Sequence, residues 1–201
     1  VALAWYTGLE AHLVQSRPHS LGPAAGIYMR REQHHRFGPP GRVLSLTQLL
    51  QQEDLHLGGL AQFYYSLRVD ELLQRHKHQR NVTLLKPDEI AVSFRLLEYR
   101  RVDYFFGWYA QLVDLRANGG AADTYMFHPI EEAQEYVRYY AHCQDDARGR
   151  AVIDRLNRLM NRDFLIWVRE EYAQWVYQPD TYRSVFDQHI IEGVDHPLVT
   201  D

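Results

Sequence analysis

Between residues 55 and 106 the chain alternates strand-like and helix-like stretches, and this alternation constrains the fold more than any other feature. Residues 55–60 (Leu-His-Leu-Gly-Gly-Leu) read as a strand with two glycines. Ser66 then precedes a stretch with Val69, Leu72 and Leu73 on one side and Arg68, Glu71 and Arg75 on another, the pattern of a serine-capped amphipathic helix. Residues 82–85 (Val-Thr-Leu-Leu) read as a strand closed by Pro87-Asp88. Ile90, Phe94 and Leu97 recur at helical spacing, and residues 102–106 form a compact apolar strand behind Arg100-Arg101. Strand, helix, strand at these lengths is the βαβ signature of a parallel sheet, which places the chain in the α/β class.

The flanking sequence is organised around that block. Residues 1–6 are apolar enough for a short strand. A loop with Ser16, Pro18, Gly22 and Pro23 leads to a strand at 26–30, and 37–41 (Phe-Gly-Pro-Pro-Gly) is a turn. Ser45 and Gln48 have capping-box spacing, so a helix is expected from there to about Glu53. Residues 136–143 alternate as a strand does. From Asp146 onward the chain reads as a helical tail. Val152, Ile153, Leu156, Leu159 and Met160 form one stripe. Asp163 is read as the cap of a helix bearing Phe164, Trp167, Val168 and Trp175, and Asp180 as the cap of a last helix through Tyr182, Val185, Phe186 and Ile190.

Composition narrows the functional classes. The 201 residues carry 22 Lys+Arg against 26 Asp+Glu, a formal net charge of −4, so there is no general field for nucleic acid. No apolar run approaches the roughly 18 residues that a membrane helix needs. The single cysteine, Cys143, cannot form an internal disulfide. The 11 histidines fall in no zinc spacing; His34-His35 and His76-Lys77-His78 are the tightest groups and read as solvated surface. There is no GxSxG, Walker loop or GxGxxG, and His142 and Cys143 are strand neighbours facing opposite ways. The acid pairs Glu131-Glu132 and Asp145-Asp146 are each expected at a helix start, stabilised by the helix dipole. No catalytic residue, metal ligand or cofactor is expected.

The order of several motifs carries a resemblance. Residues 101–107 (Arg-Val-Asp-Tyr-Phe-Phe-Gly), residues 140–143 (Tyr-Ala-His-Cys), then residues 149–157 running from Gly-Arg to Val-Ile and Asn157, and finally residues 171–175 ending in Trp175 follow one another along the chain. With Leu3-Ala4-Trp5-Tyr6 and Ser16-Arg17-Pro18 ahead of them, they resemble the bacterial family 3 extracellular solute-binding proteins, the type II periplasmic binding proteins. What the resemblance implies is a two-lobed α/β fold with ligand held between lobes joined by two crossing strands, near 27–30 and near 136–143. One lobe would be 26–138, a parallel-type sheet flanked by helices; the other would combine 1–25 with 139–201. Family members have a further strand-helix-strand-helix section ahead of the Trp strand, so the second lobe is expected to be incomplete in this chain.

The departures from the family pattern bear on the ligand. Amino-acid binders have an arginine before the Ser-x-Pro approach that grips the ligand carboxylate; here that place falls near Leu9 and Glu10. The family's aspartate for the ligand ammonium falls at Trp108. The usual small-residue anion turn is here Gln62-Phe63-Tyr64-Tyr65-Ser66. A zwitterion clamp is therefore not expected. In its place stand Gln62, Phe63, Tyr64, Tyr65, Trp108 and Tyr109, which follow the two strands 55–60 and 102–106. Ligands of open α/β sheets sit beyond strand carboxyl ends, so these six are the expected contacts of a flat, ring-bearing or cationic solute. An equally weighted reading makes these aromatics core or interface.

Three functions follow. The first is a non-enzymatic periplasmic solute-binding protein serving an ABC permease or a sensor, closing its lobes on the solute. The second is a binding-fold interaction or sensor module that has lost its ligand. The third is an enzyme of the cyclohexadienyl-dehydratase kind on the same fold, for which no carboxylate stands out among the aromatics.

Overall fold

The computed structural model describes residues 12–23, 25–61, 65–86, 92–133 and 136–192, together with the backbone of Ala2–Leu3. Its strands are β1 (Ala2–Leu3), β2 (Leu13–Gln15), β3 (Ser20–Pro23), β4 (Gly26–Arg30), β5 (Leu57–Leu60), β6 (Val82–Leu85), β7 (Tyr104–Gly107), β8 (Tyr125–Pro129), β9 (Tyr136–Tyr139) and β10 (Ala141–Gln144). Its helices are α1 (His34–Phe37), α2 (Leu46–Leu50), α3 (Leu67–His76), α4 (Val92–Glu98), α5 (Tyr109–Ala117), α6 (Ala147–Leu159), α7 (Arg162–Ala173) and α8 (Pro179–Phe186). They form two compact units, 24–135 and 1–23 with 136–201.

The 24–135 unit is built on a five-stranded sheet of order β6-β5-β7-β4-β8. β5 runs parallel to β6 and to β7, as the βαβ pattern requires, with Leu57 opposite both Val82 and Tyr104. β4 runs antiparallel to β7 and β8, so the sheet as a whole is mixed. Neighbouring strand residues face opposite ways, and both faces are covered. On one, the Tyr28 ring stacks on Phe94 of α4 (5.0 Å) and on Phe105 (5.6 Å), and its hydroxyl donates to Ser93 Oγ at 2.9 Å. On the other, Phe37 of α1 meets Tyr104 edge-on at 5.8 Å and Tyr65 meets Phe106 at 4.6 Å. Gly58 is required here, because a β-carbon would run into the Phe105 ring.

Asp103 ties the start of this sheet together. Its Oδ2 accepts from His56 N at 2.8 Å, and its Oδ1 accepts from Gln33 Nε2 (2.8 Å) and Arg36 Nη1 (3.4 Å). One carboxylate therefore anchors the entries to β5 and β7 and the turn that leads into α1.

The second unit pairs β10 antiparallel with β1 and β2, and β3 antiparallel with β9. The expected single strand at 136–143 is two strands in two sheets, interrupted at Tyr140. Ser16 closes its own loop: its N–H donates to Ala141 O and its hydroxyl accepts from Ala141 N, both at 2.9 Å. Asn157 Oδ1 accepts from Arg17 N at 2.8 Å. The core lies among Leu21, Leu165, Val168, Val176, Tyr182 and Phe186, with the Tyr182 hydroxyl donating to Leu21 O at 3.1 Å.

Three local expectations are corrected. The cap of α7 is Asn161, whose Oδ1 accepts from Phe164 N at 2.9 Å, and α8 starts after Gln178 with Pro179 in its first turn, so neither Asp163 nor Asp180 is a cap. Phe164, Trp167 and Trp175 are exposed (39%, 58% and 41%); of the expected stripe Val168 is buried, and Leu165 lies buried beside it. Leucine and valine at 165 and 168 define a narrower stripe than the aromatics beside them. Glu131-Glu132 start no helix, whereas Asp146 does cap α6, accepting from Gly149 N at 2.6 Å.

Candidate functional site

Because β5 and β7 are parallel neighbours, their carboxyl ends open on the same edge of the sheet. Leu60 ends β5 and Gly107 ends β7. Trp108 follows Gly107 in extended backbone and precedes α5; its N–H donates to Gln111 Oε1 at 2.8 Å, which closes the first turn of the helix. Tyr65 stands directly before Ser66, the cap residue of α3. The Tyr65 hydroxyl accepts from Leu60 N at 3.1 Å, so the ring folds back over the end of its own strand.

The two turns meet ring on ring. Tyr65 and Trp108 stack with centroids 4.9 Å apart at 25°, while Phe106 closes on Tyr65 edge-on. Tyr65 is 4% exposed and Trp108 partly buried, so Tyr65 is the support and Trp108 the outer ring. Burial pushes the Tyr65 phenol well above its ordinary value, and it stays protonated. Tyr109 is also partly buried and packs edge-on against Phe127 of β8, 5.6 Å away. Gln62, Phe63 and Tyr64 lie outside the described residues. Of the six expected contacts, the structure thus joins Tyr65 to Trp108 and sets Tyr109 beside them in sequence but against a different strand.

Three residues of this region escaped the sequence reading. Gln111 fixes Trp108. Asp70, in the first turn of α3, accepts from Tyr65 N at 3.3 Å; burial raises its carboxyl above the usual range. Glu132 is the third. Its buried carboxylate covers the amino end of α2, accepting from Leu46 N (2.8 Å), Thr47 N (2.9 Å), Thr47 Oγ1 (2.7 Å) and Ser45 Oγ (2.9 Å). Burial alone would raise this carboxyl, but the bonds from Thr47, Leu46 and Ser45 outweigh it and hold it below the usual range. Its carbonyl accepts from Ser66 Oγ at 3.1 Å, linking it to the cap of α3. Ser45 does accept from Gln48 N, at a long 3.5 Å, but the remaining donors of that helix end go to Glu132. No local signal could have found a partner more than 80 residues away.

The arrangement offers aromatic surface with an adjacent carboxylate, Asp70. An anion at the amino end of α2 would have to displace Glu132. Among the described residues there is no cluster of three or more His, Cys, Asp or Glu side chains suited to a metal ion, and no helix is long and apolar enough to cross a membrane.

No family model matches the sequence, and no curated protein matches it. Solved structures give the fold. A structure from work on glutathione import in Gram-positive bacteria via GshT and the cystine ABC importer of Streptococcus mutans aligns over 89% of this chain and 70% of its own, with TM-score 0.55 and 17% identity. The L-cystine solute receptor of Neisseria gonorrhoeae, in its unliganded open conformation, covers 85% of this chain and 62% of its own, with TM-score 0.51 and 14% identity. An ancestral cationic amino acid solute-binding protein covers 89% and 62%, with TM-score 0.50 and 9% identity. The chain has the α/β fold of the type II periplasmic binding proteins, and spans between 62% and 70% of the length of these three structures.

Proposed function

We propose that this chain is a non-enzymatic, periplasmic solute-binding protein that delivers a small ring-bearing or cationic solute to an ABC permease or a sensor. The observation that carries the reading is the Tyr65–Trp108 stack, on the edge of the sheet where the parallel strands β5 and β7 end. That edge is where open α/β sheets take their ligands. Trp108 offers a ring for stacking or cation–π contact, backed by the Tyr65 ring, while Gln111 holds its main-chain N–H. Gln62, Phe63, Tyr64, Tyr65, Trp108 and Tyr109 are the proposed contacts. The binding role itself is supported by the fold shared with solute-binding proteins. A free α-amino acid is not the proposed solute, because Trp108 stands where its ammonium partner would be.

The test is a titration of aromatic amines, quaternary ammonium compounds and neutral aromatics, followed by Trp fluorescence and by melting temperature. The expected result is saturable quenching by one of these classes that Trp108→Ala abolishes and Tyr109→Ala weakens. Quenching that persists unchanged in both variants would place the site elsewhere. A second reading, an interaction module without a pocket, is favoured by the 4% exposure of Tyr65, which spends that ring on packing. Failure of every class on well-folded protein would select it.

A further inference from the structure

We propose that the 24–135 unit carries a second binding site, for a phosphate group, in a hollow at the Arg30 end of β4. The hollow has a volume of about 740 Å³ and is lined by Arg30, Arg31 and Arg100 together with Glu32, Glu98 and Asp123. Two of the three guanidiniums are held by main-chain carbonyls. Arg30 donates to Leu97 O and to Val102 O, and its side chain is only 12% exposed. Arg31 donates to Asp123 O (2.7 Å) and Tyr125 O (3.2 Å) and has no carboxylate partner among the described residues.

The third observation marks where an oxyanion sits. A single oxygen, Glu32 Oε1, accepts from Arg30 Nε at 3.2 Å and from Arg100 Nη2 at 3.1 Å. Glu32 is 56% exposed at its side chain, and among the described residues these two guanidiniums are the hydrogen-bond partners of its carboxylate. The carboxylate stands in for a ligand oxygen that could bridge the same two donors. The Asp123 carboxylate is engaged elsewhere, with Arg116 at 2.7 Å. Once Glu32 swings out, three guanidiniums face two carboxylates, Glu98 and Asp123, and the second is paired with Arg116.

This balance selects the ligand. Glu32 is tethered, so a free monocarboxylate competes against an equal charge at high local concentration and loses. A phosphate dianion brings twice the charge and several acceptor oxygens in the geometry that guanidinium forks recognise. Arg30 and Arg31 are already fixed by carbonyls, so little side-chain freedom is lost on binding. The chemistry is shared by free phosphate and by a phosphorylated solute. It is independent of the aromatic site, which lies at the far end of different strands.

The experiment is calorimetric titration of the folded chain with inorganic phosphate and, separately, with phenyl phosphate, at pH 7.5 against sodium chloride of equal ionic strength. Glu32→Gln removes the internal competitor and is expected to tighten phosphate binding about tenfold over the native chain, the scale of one charge-assisted contact. Adding Arg100→Gln, or separately Arg31→Gln, to Glu32→Gln is expected to cost at least about tenfold again. Both positions are solvent-facing, and circular dichroism confirms folding before titration. Tighter binding of the ester than of free phosphate would identify a phosphorylated solute as the ligand, the reverse free phosphate. No phosphate response in Glu32→Gln beyond that of chloride would overturn the proposal, as would binding that survives both arginine substitutions.

Discussion

Arg100 and Gly119 hold the same place at the ends of α4 and α5, both in the left-handed backbone region, with φ of 55° and 75°. The bonding around them is identical. Arg100 N donates to Leu97 O and Arg101 N to Leu96 O; Gly119 N donates to Arg116 O and Gly120 N to Leu115 O. Both are Schellman endings, in which glycine is the usual residue because it has no β-carbon to strain. One helix uses it and the other sets an arginine there, in the hollow shared with Glu32.

This pair predicts opposite responses. Gly119→Ala meets nothing within 4 Å, so it isolates the conformational cost, expected at about 1–2 kcal/mol of lost stability. Arg100→Gly relieves the same strain but loosens the unfolded chain and loses the Glu32 contact. In a Glu32→Ala background, where that contact is already gone, it is expected to stabilise by about 0.5–1 kcal/mol. Urea midpoints at constant slope decide both. Destabilisation by Arg100→Gly in that background would contradict the strained assignment.

A second prediction concerns Glu132 and the amino end of α2. Removing its carboxylate by Glu132→Ala leaves buried N–H groups of Leu46 and Thr47 without an acceptor, at an expected cost of about 2–4 kcal/mol. The pH dependence has a definite sign. A carboxyl held below its ordinary value stabilises the fold above its unfolded pKa, and that contribution is lost as pH falls through the lowered value. Glu132→Gln should therefore be less stable than the native chain at neutral pH and approach it below about pH 4. Thermal melts of both proteins between those limits test it; a gap independent of pH would remove the charge from the account.

His128 produces the next window up. It is fully buried on β8; burial lowers its pKa from 6.5, against a bond in which its Nδ1 serves Arg42 O at 2.9 Å. A histidine kept neutral by the fold stabilises it above the unfolded pKa, and stability is lost as pH falls below about 6.5 toward the lowered value. His19, also lowered by burial, acts in the same direction. His128→Gln keeps an N–H for Arg42 O and cannot titrate. Its loss of stability between pH 7 and pH 5 is expected to be smaller than that of the native chain, measured by urea midpoint. Equal losses would mean that folding does not lower the His128 pKa.

How far the sequence discloses this molecule depends on the range of the interaction. The strands β5, β6 and β7 and the caps Ser66 and Asp146 are legible because period and cap chemistry are local. Asp103 is legible as part of a motif, but its work of holding His56, Gln33 and Arg36 is visible only in three dimensions. The antiparallel course of β4 depends on partners 75–103 residues away and has no local signature. On α7 the larger aromatic side chains suggest a buried face that Leu165 and Val168 in fact occupy. At the aromatic site, the meeting of Tyr65 with Trp108 follows from the parallel pairing of β5 and β7 once that pairing is assumed. The role of Glu132 could not be read, because a carboxylate that caps a distant helix looks like any other acid.

The last prediction measures the stack itself. Tyr65 is held from three sides: by Leu60 N at its hydroxyl, by Phe106 edge-on and by Trp108 face-on. If Trp108 is a ring braced for contact, the brace has an energy of its own, separable from the burial of either side chain. Stacked aromatic pairs are worth about 0.5–1.5 kcal/mol beyond their buried area. A double-mutant cycle of Tyr65→Leu and Trp108→Leu is therefore expected to show a coupling of that size, with Tyr65→Phe costing about 1 kcal/mol through the lost bond to Leu60. The cycle is run on stability without solute, so it does not depend on knowing the ligand. A coupling below about 0.3 kcal/mol, within the additivity of independent sites, would mean that the two turns do not brace each other. Trp108 would then have no more claim to a preformed site than any other half-buried tryptophan.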